Sequence, residues 1–310
     1  MKILNKEILT KIQGTKVTKM EIEAPLIAGK AKPGQFVVLM VKEEGERIPL
    51  TVVSADAKKG AVTIIFQELG FTTKLLGKVK IGESLYSFVG PLGHATEIKK
   101  YGDVILVGGG VGIAEIYPVA KAMKEAGNRV ITIIGARTKE LLILEKELKA
   151  ASDELHIVTD DGSYGKKGFT TDILRVSLRG RSEATDEAIP KDEIASRPSG
   201  ARNDGAEAAI RKPKTANFVY AVGPIPMMQK VAEVTKVSGV KTVVSLNALM
   251  VDGTGMCGSC RVTVGGKVKF SCVDGPEFDA HEVDWKELTA RSKIYCDKEE
   301  HICKLTSKTA

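Results

Sequence analysis

The pattern of apolar residues changes at Asp103, and this change divides the 310-residue chain into two kinds of fold. Before Asp103, short β-branched or alternating runs predict strands at 16–22, 35–41, 50–54 and 62–66. After it, the apolar run DVILVGG precedes helix-length and strand-length segments in alternation. Strands that alternate with helices usually pair in a parallel sheet. The sequence therefore predicts a small antiparallel β-barrel followed by an α/β domain.

Turn and helix signals set the boundaries of these regions. A short helix is predicted in GFTTKLLGKV from Gly70, and GPLG at 90–93 closes the barrel. In the second region we predict a helix at 113–126, the strand RVITIIG, a helix at 139–150, the strand LHIVTD, and a last strand and helix at 217–231. We expect a barrel domain at 1–97, an α/β domain at 98–244 and a C-terminal region at 245–310.

The stretch from 179 to 215 interrupts the α/β pattern. It is rich in Ala, Arg, Glu, Asp, Ser and Pro and has no apolar period. A compact α/β fold needs a connection of only about 2–6 residues at such a point. We expect an exposed, mobile insertion here, and the sequence assigns it no function.

Composition excludes several classes of protein. The chain has 43% hydrophobic residues, no signal-peptide-like N-terminus and no run of the roughly 18 apolar residues that a spanning helix needs. We therefore expect a soluble, cytoplasmic protein without membrane contact. The net charge is +7, but the lysines are dispersed among acids and only 5% of residues are aromatic, so nucleic-acid binding is not expected.

All five cysteines lie in the last fifth of the chain, at positions 257, 260, 272, 296 and 303, which is not the pattern of a disulfide framework. In MVDGTGMCGSCRVTVGGKVKFSC, Cys257 and Cys260 form a CxxC pair and Cys272 follows. Asp252 stands where the first cysteine of a plant-type CxxxxCxxC cluster motif would be. The spacing favours a [2Fe-2S] cluster held by Asp252, Cys257, Cys260 and Cys272. A structural zinc site is the alternative, because CxxC also serves zinc.

A glycine-rich turn marks a candidate nucleotide site. In VGGGVGIAEIYP, the residues Gly108, Gly109, Gly110, Val111 and Gly112 follow an apolar strand and precede a helix, whose N-terminus can meet a pyrophosphate. The spacing is not GxGxxG, and a tight structural turn is the alternative.

Arg137 follows the second strand of the α/β region, where it could face a 2′-phosphate or an adenine ring. The choice between NADH and NADPH is therefore open from the residues alone.

A second candidate site lies in the barrel. In ERIPLTVVS, Arg47 supplies a cation for a phosphate, Pro49 and Leu50 an apolar surface for a ring, and Thr51 a hydroxyl. The plainer alternative is an arginine at a strand edge beside a proline turn.

Together, RxPLT at 47–51, GxxT at 70–73, GGGxG at 108–112, GPxPMM at 223–228 and the cysteine loop resemble the ferredoxin–NADP⁺ reductase superfamily. A [2Fe-2S] loop after the nucleotide domain resembles dihydroorotate dehydrogenase electron-transfer subunits. It also resembles the small subunit of NADH-dependent reduced ferredoxin:NADP⁺ oxidoreductase, also called the sulfide dehydrogenase small subunit. Asp252 and CVDGPEFDAHEVDW at 272–285 are most similar to the latter.

The resemblance implies that the barrel binds FAD, with Arg47 near its pyrophosphate and Thr51 near flavin N5. The other residues implied on the FAD side are Pro49, Leu50, Phe66, Gln67, Gly70, Thr72 and Thr73. Those implied around the nicotinamide nucleotide are Gly108 to Gly112, Arg137, Gly223, Pro224 and Met227. Two departures stand out: an extra residue separates Arg47 from Thr51 relative to the usual RxYS, and Val222 replaces the superfamily's cysteine before Gly-Pro.

The resemblance further implies hydride transfer between NAD(H) and FAD, with NADP(H) as the alternative nucleotide, followed by single-electron transfer through the [2Fe-2S] cluster. No catalytic acid or base is expected, since the cofactors carry the chemistry. The implied partner is a larger subunit with FAD and [4Fe-4S] clusters, in an electron-bifurcating heterodimer that meets ferredoxin indirectly. Two alternatives remain: a dihydroorotate dehydrogenase electron-transfer subunit, and a zinc-stabilised nucleotide-binding regulatory protein.

Overall fold

The computed structural model describes residues 1–12, 14–179, 216–296, 298 and 301–302. Apart from its first residue, the predicted insertion at 179–215 lies outside the described residues. No helix in the described part of the chain is long and apolar enough to cross a membrane.

The N-terminal region consists of two antiparallel sheets around a shared apolar core. Its strands are β1 (Ile3–Ile12), β2 (Thr15–Glu23), β3 (Phe36–Met40), β4 (Ile48–Thr51), β5 (Ser54–Asp56), β6 (Ala61–Gln67) and β7 (Ser87–Leu92). They pair in the orders β1-β2-β6-β5 and β4-β3-β7, and two short helices, α1 (Pro25–Ala28) and α2 (Phe71–Leu76), lie in the connections. In β2, Met20 and Ile22 are buried on one face, because a strand points successive residues to opposite faces, whereas every residue of β6 from Ala61 to Phe66 is buried. The predicted antiparallel barrel domain is confirmed.

A seven-stranded sheet forms the second region. Its elements are β8 (Asp103–Gly109), α3 (Gly112–Glu125), β9 (Arg129–Ala136), α4 (Glu145–Ala151), β10 (Glu154–Thr159), β11 (Lys166–Lys167), α5 (Thr170–Arg179), β12 (Phe218–Val222), α6 (Ile225–Ser238) and β13 (Lys241–Ser245). These strands pair in parallel in the order β11-β10-β9-β8-β12-β13. All seven residues of β8 are buried, as expected for a central parallel strand with helices on both faces.

The C-terminal region continues the same sheet. Its elements are β14 (Arg261–Val264), β15 (Lys267–Phe270), β16 (Glu277–Asp279) and α7 (Trp285–Ser292). Strand β16 pairs antiparallel with β13 and becomes the seventh strand, while β14 and β15 form a separate hairpin. Cys260 and Cys272 belong to the same apolar core as Val219 and Val244 of the sheet. The cysteine loop is therefore anchored to the α/β domain by packing.

Some predicted elements differ from the structure. The helix expected at 139–150 is divided into a 3₁₀ turn at Lys139–Leu141 and the helix α4, which begins at Glu145. Leu144 separates the two, because its φ of 56° lies in the left-handed region. The strand expected at 50–54 is divided between β4 and β5. Strand β1 was not predicted, because lysines, an asparagine and a glutamate break its apolar alternation.

Candidate cofactor cleft and cysteine loop

A cleft of about 1380 Å³ lies between the barrel and the α/β domain. Its volume exceeds the roughly 300–1,000 Å³ of an ordinary small-molecule pocket. The sequence-predicted residues that line it are Pro49, Leu50, Thr51, Phe66, Gln67, Gly70, Thr72, Thr73, Gly109, Gly110, Val111, Gly112, Arg137, Gly223, Pro224 and Met227. The two predicted nucleotide sites, separated in sequence, thus face one another across a single cleft.

Arg47 and Gly108 are the two predicted cofactor residues that do not line the cleft. Arg47 is exposed, although its neighbours Glu46 and Ile48 both line it. Gly108 is buried beneath α3, where an added Cβ would lie 2.7 Å from Cδ1 of Ile116. Gly108 therefore allows close helix-to-strand packing, and the open side of the glycine turn is formed by its neighbours.

The barrel wall of the cleft is organised by hydrogen bonds around α2. The hydroxyl of Thr72 donates to Oε2 of Glu46 at 2.6 Å. Oγ1 of Thr73 accepts from the backbone N–H groups of Leu69 and Gly70 at 3.0 and 3.1 Å, which fixes the turn into the helix. These contacts hold the loop of the predicted GxxT motif against β4 and β6.

The opposite wall is a close approach of two backbone turns. A Cβ added at Gly112 would lie 2.7 Å from the carbonyl oxygen of Val222, and one at Gly109 would lie 2.5 Å from Sδ of Met227. Real Cβ atoms do not approach a backbone oxygen this closely, whereas the flexible end of the Met227 side chain can move aside. The start of α3 and the Val222–Gly223 turn therefore meet because glycine occupies position 112.

Three cations line the α/β side of the cleft, namely Arg137, Arg175 and Lys230. Asp160 and Asp172 lie among them, and Oδ2 of Asp172 accepts a hydrogen bond from the backbone N–H of Phe169 at 2.8 Å. Of the cations, only Arg137 was predicted from the sequence. A negatively charged nucleotide is suited to this wall, because cations there offset its phosphate charge.

Glu115 is a further cleft residue that the sequence did not predict. It lies in the first turn of α3 and is half-buried, and burial raises the pKa of its carboxyl to about 7. The nearby hydroxyl of Thr51, on the barrel wall, lowers the pKa of this carboxyl and partly offsets the effect of burial. The signal was present in GIAEIYP, where one acid interrupts the buried stripe of an apolar helix.

The cysteine loop brings two of its thiols together. Sγ of Cys260 and Sγ of Cys272 are 3.2 Å apart, and each residue is only 2% exposed. Cys257 is exposed at the rim of the same loop. Both oxygens of Asp252 accept backbone hydrogen bonds, from Thr254 at 2.6 Å and from Cys257 at 2.9 Å. The four predicted ligands thus lie on one loop and its adjoining turn, with Asp252 holding the loop closed.

The loop also contacts its neighbours on both sides. An added Cβ at Gly253 would lie 2.7 Å from Cγ2 of Val38 in β3, so the loop rests directly on the barrel. On the other side, Nη2 of Arg291 in α7 donates to the carbonyl of Ser259 at 2.9 Å. Met250, two residues before Asp252, lines the cleft. The loop therefore lies beside the cleft and is held against the barrel wall.

The donor set fits an iron–sulfur cluster in its chemistry. Burial raises the pKa of the Cys272 thiol, so a thiolate there needs a nearby positive charge, which a metal provides. The backbone N–H of Ser259 lowers the pKa of Cys257 and favours its thiolate. Among the described residues, no three His, Cys, Asp or Glu side chains are already gathered around a metal-sized centre. The ligand assignment of Asp252, Cys257, Cys260 and Cys272 stays a prediction.

The chain resembles known proteins over most of its length. Residues 247–284 match the family described as the iron–sulfur cluster binding domain of dihydroorotate dehydrogenase B. A Thermotoga maritima protein, named a homolog of the dihydroorotate dehydrogenase B (NAD(+)) electron transfer subunit, is 44% identical over 93% of this chain and 90% of its own. The electron transfer subunit of Geobacillus thermodenitrificans is 31% identical over 86% of this chain and 91% of its own.

Solved structures show the same arrangement. A structure of NADH-dependent reduced ferredoxin-NADP oxidoreductase, described in connection with flavin-based electron bifurcation, matches with a TM-score of 0.81 and 40% identity over 96% of this chain and 95% of its own. An Amycolatopsis cytochrome P450 reductase matches with a TM-score of 0.55 and 17% identity over 76% of this chain and 65% of its own, which shows a shared fold alone.

Proposed function

Because this chain belongs to the family of dihydroorotate dehydrogenase B electron-transfer subunits and their homologues, we propose that it is the small subunit of an NADH-dependent reduced ferredoxin:NADP⁺ oxidoreductase. In this proposal the subunit binds FAD, NAD(H) and a [2Fe-2S] cluster. The observation that carries it is the single cleft whose two walls hold the two predicted nucleotide sites, with the cysteine loop at its edge.

Each wall has a distinct task in the proposed reaction. The bound cofactors supply hydride transfer between nicotinamide and flavin and one-electron transfer to the cluster. The barrel wall presents the apolar Pro49 and Leu50 and the hydroxyl of Thr51 to the flavin. The turns at Gly109–Gly112 and Gly223 form the wall for the nicotinamide nucleotide, and Gly110 leaves open space beside it. Reaction rate then depends on how closely these two walls align the rings.

The cysteine loop gives the electrons an exit. Its contact with Val38 and the presence of Met250 in the cleft wall keep the proposed cluster next to the flavin side. Around the loop, apolar side chains are exposed: Val251 at 47%, Met256 at 89% and Val273 at 40%. Exposed apolar residues beside a redox centre support docking of a partner subunit there. The proposed partner is a larger subunit with FAD and [4Fe-4S] clusters that exchanges electrons with ferredoxin, forming an electron-bifurcating heterodimer.

The second candidate is an electron-transfer subunit of dihydroorotate dehydrogenase B itself. The match at 247–284 and the names of several relatives favour it. Asp252 favours the first proposal, since it stands where the usual cluster motif has a cysteine. Co-purified partners separate the two, because only the second candidate requires a dihydroorotate-oxidising subunit.

The direct test is an anaerobic ultraviolet–visible spectrum of the full chain with its iron and zinc content, recorded before and after NADH. Flavin bands and about two irons per chain, bleached by NADH, are expected for a flavoprotein with a [2Fe-2S] cluster. A parallel titration with NADPH tests the nucleotide choice. Zinc without flavin would overturn the proposal and favour a zinc-stabilised nucleotide-binding protein.

A further inference from the structure

A buried hydroxyl beside the predicted cluster ligands has no acceptor in the protein. Ser271 lies between Phe270, the last residue of β15, and Cys272, and its relative exposure is 0%. Within the described part of the chain, Oγ of Ser271 makes no hydrogen bond. A buried hydroxyl without a partner costs free energy, so such groups are uncommon in folded proteins and each one has a physical reason.

The hairpin of β14 and β15 places this hydroxyl on the face that carries Cys260. Arg261 pairs with Phe270 in the antiparallel register of the hairpin. The backbone N–H of Ser271 continues that pairing by donating to the carbonyl oxygen of Cys260 at 3.0 Å. Residues directly opposite one another in an antiparallel pair project their side chains to the same side. Ser271 and Cys260 therefore share one face of the hairpin.

The chemistry of this face is that of sulfur in an apolar core. The backbone N–H of Cys272 donates to Sγ of Cys260 at 3.4 Å, so the backbone on both sides of Ser271 is tied to that cysteine. Both cysteines belong to the same apolar core as Val262. Among the described residues, neither these thiols nor any oxygen accepts from the Ser271 hydroxyl. The hydroxyl is therefore suited to an acceptor that the cluster brings with it, namely inorganic sulfide.

We propose that the Ser271 hydroxyl donates a hydrogen bond to a sulfide of the cluster and thereby favours the reduced cluster. The negative charge on the sulfides increases when the cluster accepts an electron, so the O–H donor binds more strongly in the reduced state. Hydrogen bonds to the sulfurs are among the features that set the potential of such a cluster. Ser271 thus raises the reduction potential and makes the cluster a better acceptor of electrons from the flavin. The inference rests on the proposed function, because it takes a [2Fe-2S] cluster to be held by Cys260 and Cys272.

The test is the reduction potential of the cluster in the full chain, purified anaerobically with FAD. Visible and EPR spectra are recorded while the protein is reduced stepwise by dithionite in the presence of redox mediators. In Ser271→Ala we expect the ratio of reduced to oxidised cluster at a given potential to fall about tenfold, which corresponds to a midpoint about 59 mV lower for a one-electron couple. The midpoint of the flavin, read from the same titration, should keep its wild-type value.

Thr289→Ala is the matched control for loss of a hydroxyl from the same region. The hydroxyl of Thr289 in α7 donates to the carbonyl oxygen of Trp285 at 2.7 Å, so the protein itself satisfies it. Its removal should leave the midpoint of the cluster unchanged. Electron–nuclear double resonance adds a readout that does not depend on the potential. After the cluster is rebuilt in D₂O and reduced, the wild type and Thr289→Ala should show coupling to an exchangeable deuteron that is missing in Ser271→Ala.

The outcomes are distinct. A wild-type cluster midpoint or the full deuteron coupling in Ser271→Ala overturns the inference, and so does an equal fall of the midpoint in Thr289→Ala. If Ser271→Ala holds no iron, Ser271→Thr decides, because it keeps the hydroxyl. Wild-type iron content and midpoint in Ser271→Thr then support the inference, whereas loss of iron there too shows that Ser271 acts through packing alone. A wild-type chain that holds zinc instead of iron would refute the proposed function.

Discussion

The hydroxyl of Tyr220 donates a 2.8 Å hydrogen bond to Oε1 of Glu277, deep between the domains. The same oxygen accepts from Oγ1 of Thr96, in the segment that leaves the barrel. Tyr220 belongs to β12 and Glu277 to β16, so one carboxylate joins the barrel, the α/β sheet and the C-terminal region. Burial raises the pKa of Glu277 to about 7, and both hydrogen bonds only partly offset that effect.

This buried carboxyl predicts a pH-dependent stability. Its folded-state pKa of about 7 lies above the unfolded value of 4.5, so its contribution is complete below pH 4.5 and is lost as pH rises through 7. The loss is on the order of 3 kcal/mol by pH 8. Glu277→Gln keeps an acceptor oxygen for Tyr220 and Thr96 but cannot ionise. We expect its thermal unfolding midpoint to exceed that of the wild type by much more at pH 8 than at pH 5.

The matched control is Glu7→Gln, whose carboxylate is exposed and 3.8 Å from Nζ of Lys19. A surface ion pair of this kind contributes about 0–1 kcal/mol to the free energy of unfolding. The unfolding midpoint of Glu7→Gln should therefore follow that of the wild type at both pH values. If Glu277→Gln is equally destabilised at pH 5 and pH 8, the ionisation of Glu277 is not the cause.

The contact between Gly112 and the Val222 carbonyl predicts a selective loss of nucleotide binding. In Gly112→Ala, the new methyl group would lie 2.7 Å from that backbone oxygen, so α3 must move away from the Val222–Gly223 turn. We expect the Kd for NADH to rise by about tenfold or more, since misplacement of a binding turn removes several contacts at once. FAD content should be unchanged, because the barrel wall is untouched. Isothermal titration with NADH and the flavin absorbance measure the two effects.

A general loss of stability could imitate this result, and Gly239→Ala controls for it. Gly239 ends α6 with a φ of 64° and has no neighbouring atom within 4 Å of an added Cβ. Alanine there costs roughly 1 kcal/mol through backbone strain alone. It should lower the unfolding midpoint without changing the Kd for NADH. Equal weakening of NADH binding in both variants would show that the Gly112 contact is not specific.

The sequence predicted most of the fold because the spacing of apolar residues typical of strands and the spacing typical of helices are both clear in it. The alternation in β2, the apolar run of β6, and the buried β8 with the helix after it are local patterns that a barrel or a parallel sheet preserves. Strand β1 escaped prediction because one of its faces is solvated and carries lysines, and the break before α4 depends on a single left-handed residue, Leu144. Neither feature has a strong local signal.

The candidate site was predictable where glycines and cysteines carry the geometry, and not where it depends on packing between domains. The position of Glu115 opposite Thr51 requires the barrel to sit on α3, which no local pattern specifies. Arg175 and Lys230 reach the cleft from α5 and α6 for the same reason. Asp252 was identified by spacing alone, and its hydrogen bonds to the loop backbone were not foreseen.

The close pair Cys260 and Cys272 predicts a variant without a cluster. Cys260→Ser removes a buried thiol 3.2 Å from its neighbour, and we expect iron to fall from about two per chain to near zero while flavin remains. Cys296→Ser is the control, since Cys296 is exposed and its Sγ donates only a weak hydrogen bond, of 3.7 Å, to the Ser292 carbonyl within the described part of the chain. Iron analysis and the visible spectrum decide the outcome. Loss of iron in both variants would mean that iron content follows the general oxidation state of the protein. The loss in Cys260→Ser would then not identify Cys260 as a ligand.

Asp252 provides the sharpest test of the cluster assignment, because two functions compete for its carboxylate. Its oxygens accept from the backbone of Thr254 and Cys257, and the Thr254 N–H is the main cause that lowers the pKa of Asp252. A group with these bonds can close the loop without touching iron. A carboxylate ligand is harder than a thiolate and should give the cluster a different potential from an all-cysteine one. Structure and ligand chemistry therefore lead to different expectations for the same substitutions.

Two replacements of Asp252 separate these functions. Asp252→Asn keeps an acceptor oxygen for the loop but loses the charge, so a ligand role predicts loss of iron and a purely structural role predicts retention. Asp252→Cys creates an all-cysteine frame, and we expect about two irons per chain with a changed EPR signal and reduction potential. An unchanged EPR signal and potential in Asp252→Cys, together with full iron in Asp252→Asn, would assign Asp252 to the loop alone. The cluster's fourth ligand would then have to come from elsewhere.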